Sequence, residues 1–432
     1  MLQEKIRSAK PAKAHGPTLH NRADLAAFGG PPALVDTEIT RWPAARKKHL
    51  EALGRVVKSG KYHRVNHPLV SKLEQELSDW SGWWTARAVG SGTSALHIGL
   101  DYYASRGPKV VTAALNWPGA VGPIAFSGLT PEFVDVDLAD ASIDESAAIA
   151  RVGKDVGAVL VTHLFGNRVD APRLRRASRK AGAALIDDVA QAIAVLRTNA
   201  DQRPLDSDML ALSGNGAKHL GAGELGFVLT KDPELIEHVD HVSLTSSARN
   251  GERIFSPDTC GYNYRPNVFS AALARSRLKR MNDQLRERQR NCLFLWEEIC
   301  ELPGLKPIFD PGDPRNSFLN MPLRLEPKEL DLPETPQVRD YIIKLLQAEG
   351  VPLWVWLTQP VFEYLPAFRD RWSARDFPNT QKLLDTMFYI SEIAPPNGKP
   401  LMRAYADAFH KVWAVLPSLR AEIRRSIIAN EG

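Results

Sequence analysis

Cysteine is scarce in this chain: Cys260, Cys292 and Cys300 are the only three among 432 residues. Three thiols without a Cys-x-x-Cys pair provide neither a disulfide framework nor a zinc motif, and reduced cytoplasmic thiols are the simpler expectation. Met1 to Asn21 lacks the apolar core of a signal peptide. No later apolar run is long enough to span a bilayer, so a soluble protein with no membrane partner is expected. Basic residues form no block either. The 55 Lys and Arg against 50 Asp and Glu leave +5 scattered along the chain, which argues against nucleic acid as a partner while suiting small anionic substrates. No internal repeat or coiled-coil heptad stands out, and no metal site is expected.

What is present is globular composition, 44% hydrophobic and 24% charged, in a chain long enough for two packed lobes. Residues 1–22 offer little to bury and read as a flexible segment. A charged helical stretch from Pro43 to Lys58 places Leu50 and Leu53 near one another. Val70 to Trp80 reads as an amphipathic helix with Lys72, Glu74, Gln75 and Glu76 toward water. Short apolar runs follow at Val110–Leu115, Glu132–Val136, Val156–Val161, Ala183–Ile186, Met209–Ser213 and Leu225–Leu229. Between them lie helical signals at Ser94–Tyr103, Gly119–Phe126 and Leu174–Ala181. This is an α/β pattern with a mostly parallel central sheet, whose catalytic loops gather at the carboxyl ends of the strands. The composition shifts after Thr230. Helices over Asn267–Leu302, Pro336–Glu349, Asn379–Ile390 and His410–Ile428, with an extended Phe318–Leu325, predict a smaller C-terminal α+β lobe over 268–432, following a large domain over 23–267.

Several segments carry chemistry. Ser91-Gly92-Thr93-Ser94-Ala95-Leu96 opens an apolar helix, where backbone N–H groups and the hydroxyls of Thr93 and Ser94 could meet a phosphate; a plain helix cap is the alternative. Trp117 follows a strand directly, so its ring could stack on a cofactor or fill the core. Asp187 and Asp188 alternate across a strand, so only one can meet a given ring nitrogen. A carboxylate there would keep a pyridine nitrogen positive and strengthen the ring as an electron sink, with Gln191 near the ring hydroxyl. A helix cap or magnesium ligand is the competing use of the pair. Lys218 lies among Gly214, Gly216, Gly221, Gly223 and Gly226. Its amine could form a Schiff base with an aldehyde and later carry a proton, while Ser213 adds a hydroxyl; a solvated lysine beside a glycine turn is the plain reading.

In their order these segments resemble the DegT/StrS group of pyridoxal-phosphate aminotransferases. Further support comes from Pro131 to Asp137, His163-Leu164-Phe165-Gly166 and Gly261-Tyr262-Asn263-Tyr264-Arg265. The resemblance implies fold type I and pyridoxal 5'-phosphate as cofactor. It makes Lys218 the lysine bonded to the cofactor, Asp188 the partner of the pyridine nitrogen, Gln191 the neighbour of the phenolic oxygen and Trp117 the stacking aromatic. Thr93, Ser94 and Ser213 match phosphate positions, and His163 lies on an active-side loop with an open role. Asn263 matches an asparagine that reaches the neighbouring subunit's cofactor, which implies a homodimer with shared sites. Glutamate or glutamine is the implied donor.

Three departures are visible: Asp187 where a glutamate is common, Leu225 within the usual Gly-Glu-Gly-Gly stretch, and Gly214 where a phenylalanine follows the serine. Asn215 and Phe377-Pro378-Asn379-Thr380 resemble the branch of 3-amino-5-hydroxybenzoate synthases and aminocyclitol enzymes. A keto-cyclitol or related cyclic ketone in specialised metabolism is therefore the expected acceptor. A nucleotide-linked keto-sugar, dehydration chemistry and a noncatalytic regulatory homologue are the alternatives. The stretches His238 to Arg253, Trp354 to Pro360 and Trp372 to Thr380 are the candidate acceptor walls, with Trp354, Trp356, Arg249 and Arg253 as possible contacts.

Overall fold

The computed structural model describes residues 21–63, 67–197, 202–243, 247–249, 252–254 and 261–429. Nearly all of the expected N-terminal flexible segment lies outside them, as do Cys260 and the side chains of Arg249 and Arg253.

The chain opens with helices α1 (Lys47–Ser59) and α2 (Pro68–Ser81), followed by strand β1 (Thr85–Val89) and helix α3 (Gly92–Tyr103). Next come β2 (Lys109–Ala113), α4 (Pro118–Phe126), β3 (Thr130–Val134), α5 (Glu145–Arg151), β4 (Val156–Thr162), α6 (Pro172–Ala181) and β5 (Ala184–Asp188). The large lobe closes with β6 (Met209–Ser213), β7 (Gly226–Thr230) and α7 (Pro233–Ser243), before a hairpin of β8 (Ser247–Arg249) and β9 (Glu252–Ile254). The seven-stranded sheet runs β1-β7-β6-β5-β4-β2-β3. Only β7 opposes the others, pairing antiparallel with β1 and β6. Every residue of β4, β5, β6 and β7 is buried, as expected of strands covered by helices on both faces.

Strand β1 was not legible as an apolar run, because Arg87 interrupts it. Its edge is instead closed by α2: Glu74 accepts the Ala88 N–H (3.0 Å) and Ser78 Oγ accepts the Ala86 N–H (3.0 Å). Glu74 is therefore buried, contrary to its expected place toward water. The open edge of a sheet needs acceptors for its N–H groups, and α2 supplies them. Leu50 and Leu53 lie three residues apart on α1, as expected, but Leu50 is turned to solvent. It is 69% exposed, while His49, Ala52 and Val56 form the buried face of α1.

The C-terminal part contains α8 (Val268–Leu278), α9 (Met281–Ile299), β10 (Leu305–Pro307), β11 (Met321–Leu325), α10 (Pro336–Ala348), β12 (Leu353–Trp354), α11 (Pro378–Thr386), β13 (Met387–Ile390) and α12 (Lys399–Ala429). The second sheet, β10-β11-β13-β12, is antiparallel throughout. The helix expected over Asn379–Ile390 ends at Thr386, and Met-Phe-Tyr-Ile becomes an inner strand. Aromatic and β-branched side chains favour that pleated, covered position. The last helix begins eleven residues before the expected His410.

The N-terminal residues form a strap over the C-terminal lobe. Glu349, wholly buried, accepts N–H groups of Ala26 and Ala33 (2.8 Å each) and the Lys411 ammonium (2.7 Å). Asn397 then exchanges hydrogen bonds with Thr40. The strap thereby delivers Trp42 to the cleft between the lobes.

Candidate active site

The register gathers the site before any ligand is considered. Asp188 closes β5 opposite Thr162 and Ala211, and Ser213 ends β6 opposite Gly226 at the start of β7. Val89, the last residue of β1, also faces Gly226. Four strand ends thus converge where Ser91 begins α3.

At that corner the backbone approaches very closely. A Cβ on Gly226 would sit 2.1 Å from the Ser91 carbonyl, and one on Gly92 would sit 3.0 Å from the Ser213 Cβ. Only glycine permits this packing. Ser91 caps α3, its Oγ accepting the Ser94 N–H (3.0 Å) and lying 2.8 Å from the Ser94 hydroxyl.

A cavity of about 530 Å³ opens above these strand ends. Thr93, Trp117, Asp188, Gln191, Ser213 and Lys218 line it together. Ser94, His163 and Asn263 do not. Ser94 is engaged with Ser91 beneath the helix start. Asn263 is exposed, has a left-handed backbone (φ 59°) and accepts from Arg265.

The two aspartates divide as strand alternation requires. Asp187 is fully buried away from the cavity, paired with Arg175 through both terminal nitrogens (2.7 and 2.9 Å), and also bonded to His163 and Ser207. Burial alone would raise its pKa, but the guanidinium and the other donors outweigh this and hold the carboxyl well below its usual range. His163 Nδ1 accepts the Val169 N–H (3.1 Å), so its proton resides on Nε2, which donates to Asp187 (2.8 Å). His163 therefore braces Asp187 from behind the sheet.

Asp188 faces the cavity and takes one N–H bond, from Ala190 (2.9 Å). Its pKa is raised by burial, an effect only partly offset by that bond and by Lys218. Lys218 is lowered by burial, with Asp188 opposing the shift. Its remaining accessible surface opens into the cavity, which is why it is half-buried yet strongly desolvated. The result is an amine closer to its neutral, nucleophilic form than a solvated lysine would be.

Gln191 turns its carbonyl to the Phe165 N–H (2.7 Å), and its amide nitrogen makes no hydrogen bond among the described residues. Phe165 is itself strained, a buried aromatic at φ 55°. Trp117 is 47% exposed, so the core-filling reading does not hold. It stacks on Trp356 at 6.2 Å and 21°, forming a flat aromatic wall.

Sequence reasoning missed the C-terminal lobe's share of the cavity. Arg288 on α9, Asn320, Tyr389 and Glu392 all line it, together with Trp42 from the strap. The Trp42 N–H donates to Glu392 (2.9 Å) and its indole to the Lys218 carbonyl (2.9 Å). No local motif announces these residues. Of the expected acceptor walls, Trp356 alone lines the cavity from Trp354 to Pro360, and none does from Trp372 to Thr380 or among the described side chains of His238 to Arg253. Asn379 and Thr380 instead bind the Asp135 carboxylate through backbone and hydroxyl donors (2.7–2.8 Å) and tie the lobes together.

Two departures from the family pattern compensate one another. Leu225 is wholly buried, and a Cβ on Gly214 would lie 3.0 Å from the Leu225 Cβ. The larger residue at 225 fills the space opened by glycine at 214.

A desolvated lysine and acid facing one cavity, beside a helix N-terminus and an aromatic wall on a mostly parallel sheet, define the fold type I class of pyridoxal-phosphate proteins. Residues 43–393 match the DegT/DnrJ/EryC1/StrS aminotransferase family, and the chain belongs to that family. It is a pyridoxal-phosphate-dependent aminotransferase. It is 25% identical to Protein MosB of Rhizobium meliloti over 76% of this chain and 68% of that protein. Against 3-amino-5-hydroxybenzoate synthase of Amycolatopsis mediterranei it is 25% identical over 86% of this chain and 96% of that one. The crystal structure of DesI in the presence of its TDP-sugar product superposes with a TM-score of 0.78 at 24% identity, covering 93% of this chain and 99% of DesI.

Proposed function

We propose that this chain transfers an amino group from glutamate or glutamine to a keto-cyclitol or related small cyclic ketone. The observation that carries the reading is the pairing of Lys218 with Asp188 across one cavity. The residues fit pyridoxal phosphate on independent grounds. The first turn of α3 is pressed close to Ser213 and directs backbone N–H groups at a position suited to a phosphate, with the Thr93 hydroxyl at its rim. Gln191 has an amide nitrogen with no acceptor among the described residues. Pyridoxal phosphate, when bound, supplies an aldehyde to hold amines and a ring that withdraws electrons from the adjoining carbon.

The chain's own residues then have distinct tasks. Asp188 would accept the hydrogen bond of a protonated ring nitrogen, and Trp117 would offer its aromatic face to the ring. Lys218, lowered by burial, accepts the proton from the donor's α-carbon and returns one in the second half of the reaction. Trp42 fastens the Lys218 carbonyl, which steadies the loop while the side chain moves.

The Trp117–Trp356 wall favours a flat carbocyclic or sugar ring, and Asn215, Glu224 and Asn320 around it can hydrogen-bond hydroxyl groups. The relationship to 3-amino-5-hydroxybenzoate synthase supports a carbocyclic acceptor. DesI, solved with a TDP-sugar, favours the second reading, a nucleotide-linked keto-sugar. Retention of Lys218 speaks against dehydration as the sole chemistry. Because Asn263 is exposed and does not line its own chain's cavity, it suits a homodimer in which it serves the opposite site.

The test is an absorbance scan of reconstituted protein followed by addition of donor. Glutamate or glutamine should bleach the visible band of the lysine-bound cofactor, and Lys218→Ala should abolish that response. A protein that forms no such band overturns the reading. Turnover of keto-cyclitols against nucleotide keto-sugars decides the acceptor.

A further inference from the structure

We propose that a second cavity, which shares Trp42 with the active-site cavity, is a binding site for a phosphate group. It lies between the start of α1, the end of α8 and the first turns of α9, and holds about 40 Å³. A single water needs roughly 10–15 Å³, so the space suits one small oxyanion and is too small for a sugar ring. Trp42 lines both cavities, and the Cζ of Arg277 lies 5.0 Å from its ring centre. Arg277 thus links the second cavity to the ring whose indole fastens the Lys218 carbonyl.

Arg46, Arg277 and Arg280 line this cavity against one acid, Glu287. Among the described residues Glu287 makes no ion pair with any of them. Arg280 lies 3.8 Å from Asp283, which Arg286 also holds. Arg277 has no carboxylate partner among the described residues, and burial lowers its pKa unopposed. An arginine nevertheless stays charged at neutral pH. The lining therefore carries an excess of two positive charges, which a phosphate dianion matches and a guanidinium fork can hold.

The start of α1 adds donors to the same place. Arg46 at the N-cap makes no side-chain cap, and the first turn contains no acid. The N–H groups of Lys47 and Lys48 meet no acceptor among the described residues. A helix start normally draws a capping oxygen or an acid, whereas cations surround this one. His49 is the independent sign of a ligand: only 8% exposed, it lines the cavity and its side chain makes no hydrogen bond among the described residues. Its Nδ1 is sealed off, so the edge bearing Nε2 is the one left open. Burial and Arg277 lower its pKa and keep the ring neutral, so it can donate an N–H without adding charge. Arg277 buries Nε and spends Nη2 on the Ala44 carbonyl (3.3 Å), which leaves Nη1 for a ligand.

The experiment is calorimetric titration of inorganic phosphate into protein reconstituted with pyridoxal phosphate, so that the phosphate position at α3 is already filled. Saturable binding is expected. Arg277→Gln should weaken it at least about tenfold, the loss of one hydrogen bond from a charged donor. Arg280→Gln, on the exposed rim, should weaken it by a smaller factor and decides the matter if Arg277→Gln fails to fold. Arg420→Gln removes the same charge outside the cavity and should change binding by less than about twofold, because distant surface charges are screened. Glycerol phosphate is titrated in parallel. Binding of both compounds identifies a phosphate carried on a larger molecule, and binding of inorganic phosphate alone identifies the free ion; either supports the site.

No saturable binding, undiminished binding in both cavity variants, or an equal loss in Arg420→Gln would each overturn the proposal. Acetate competing as strongly as phosphate would do the same, since the cavity would then select carboxylates. The titration reads binding and not turnover. A protein that takes up no cofactor fails the functional reading instead, and the same variants still locate the phosphate.

Discussion

Two neighbouring aspartates on β5 should respond in opposite ways to the same substitution. Asp187→Asn removes the counter-ion of Arg175, which is 3% exposed and takes both of its charged contacts from this carboxylate. Leaving such a guanidinium unpaired costs about 3–5 kcal/mol. Asp188→Asn removes a charge that burial already penalises. Since its folded pKa lies above the unfolded value, the ionised form costs folding stability at neutral pH, and asparagine relieves that cost. The apoprotein of Asp188→Asn should therefore be as stable as wild type while losing the donor-dependent response. The assay is urea unfolding of the cofactor-free proteins, followed by tryptophan fluorescence, beside the donor titration.

The pH dependence sharpens the contrast. Asp187 has a folded pKa below its unfolded value, so its stabilising contribution is fully present above about pH 4 and disappears as pH falls through the lowered folded value. The stability gap between wild type and Asp187→Asn should be widest at neutral pH and close in acid. Equal stability of Asp187→Asn and wild type at pH 7, or an equal loss in Asp188→Asn, would refute the division of labour.

Three other outcomes are expected. Gly214→Ala should destabilise the Lys218 loop by crowding the Leu225 Cβ, and adding Leu225→Gly, which removes that Cβ, should relieve the crowding. A double-mutant cycle should show a coupling of roughly 0.5–3 kcal/mol, and additive effects would contradict the compensation. Co-expression of Lys218→Ala and Asn263→Ala chains should restore activity through mixed dimers, because one site then has its own Lys218 and an intact Asn263 across the interface; no rescue would place Asn263 in its own chain's site or outside catalysis. Glu349→Ala should release the strap, at about 3–5 kcal/mol for the unpaired Lys411 and N–H groups, and open the stretch from Ala26 to Ala33 to limited proteolysis; unchanged resistance would mean that other contacts hold the strap.

The sequence by itself determined the alternation of apolar runs and helices that makes a mostly parallel sheet, and the order of motifs that carries Lys218, Asp188, Gln191 and the α3 turn. Those features are local, written in periodicities and in glycines whose neighbours lie a few positions away. Strand alternation also separated Asp187 from Asp188 before any coordinates, although the identity of the outward partner, Arg175, was not visible.

The tertiary structure decided what depends on distant segments meeting. Trp42 enters the cavity because the strap is fastened by Glu349 and Asn397, more than 300 residues away. Arg288, Asn320 and Glu392 reach it because the C-terminal lobe closes over the strand ends, and no spacing in their own segments encodes that. The Phe377 to Thr380 stretch, suggestive of an acceptor wall, became a clamp on Asp135, since its donors match that carboxylate. Pattern fixes which face a side chain takes within its element, whereas the packing of elements decides what that face meets.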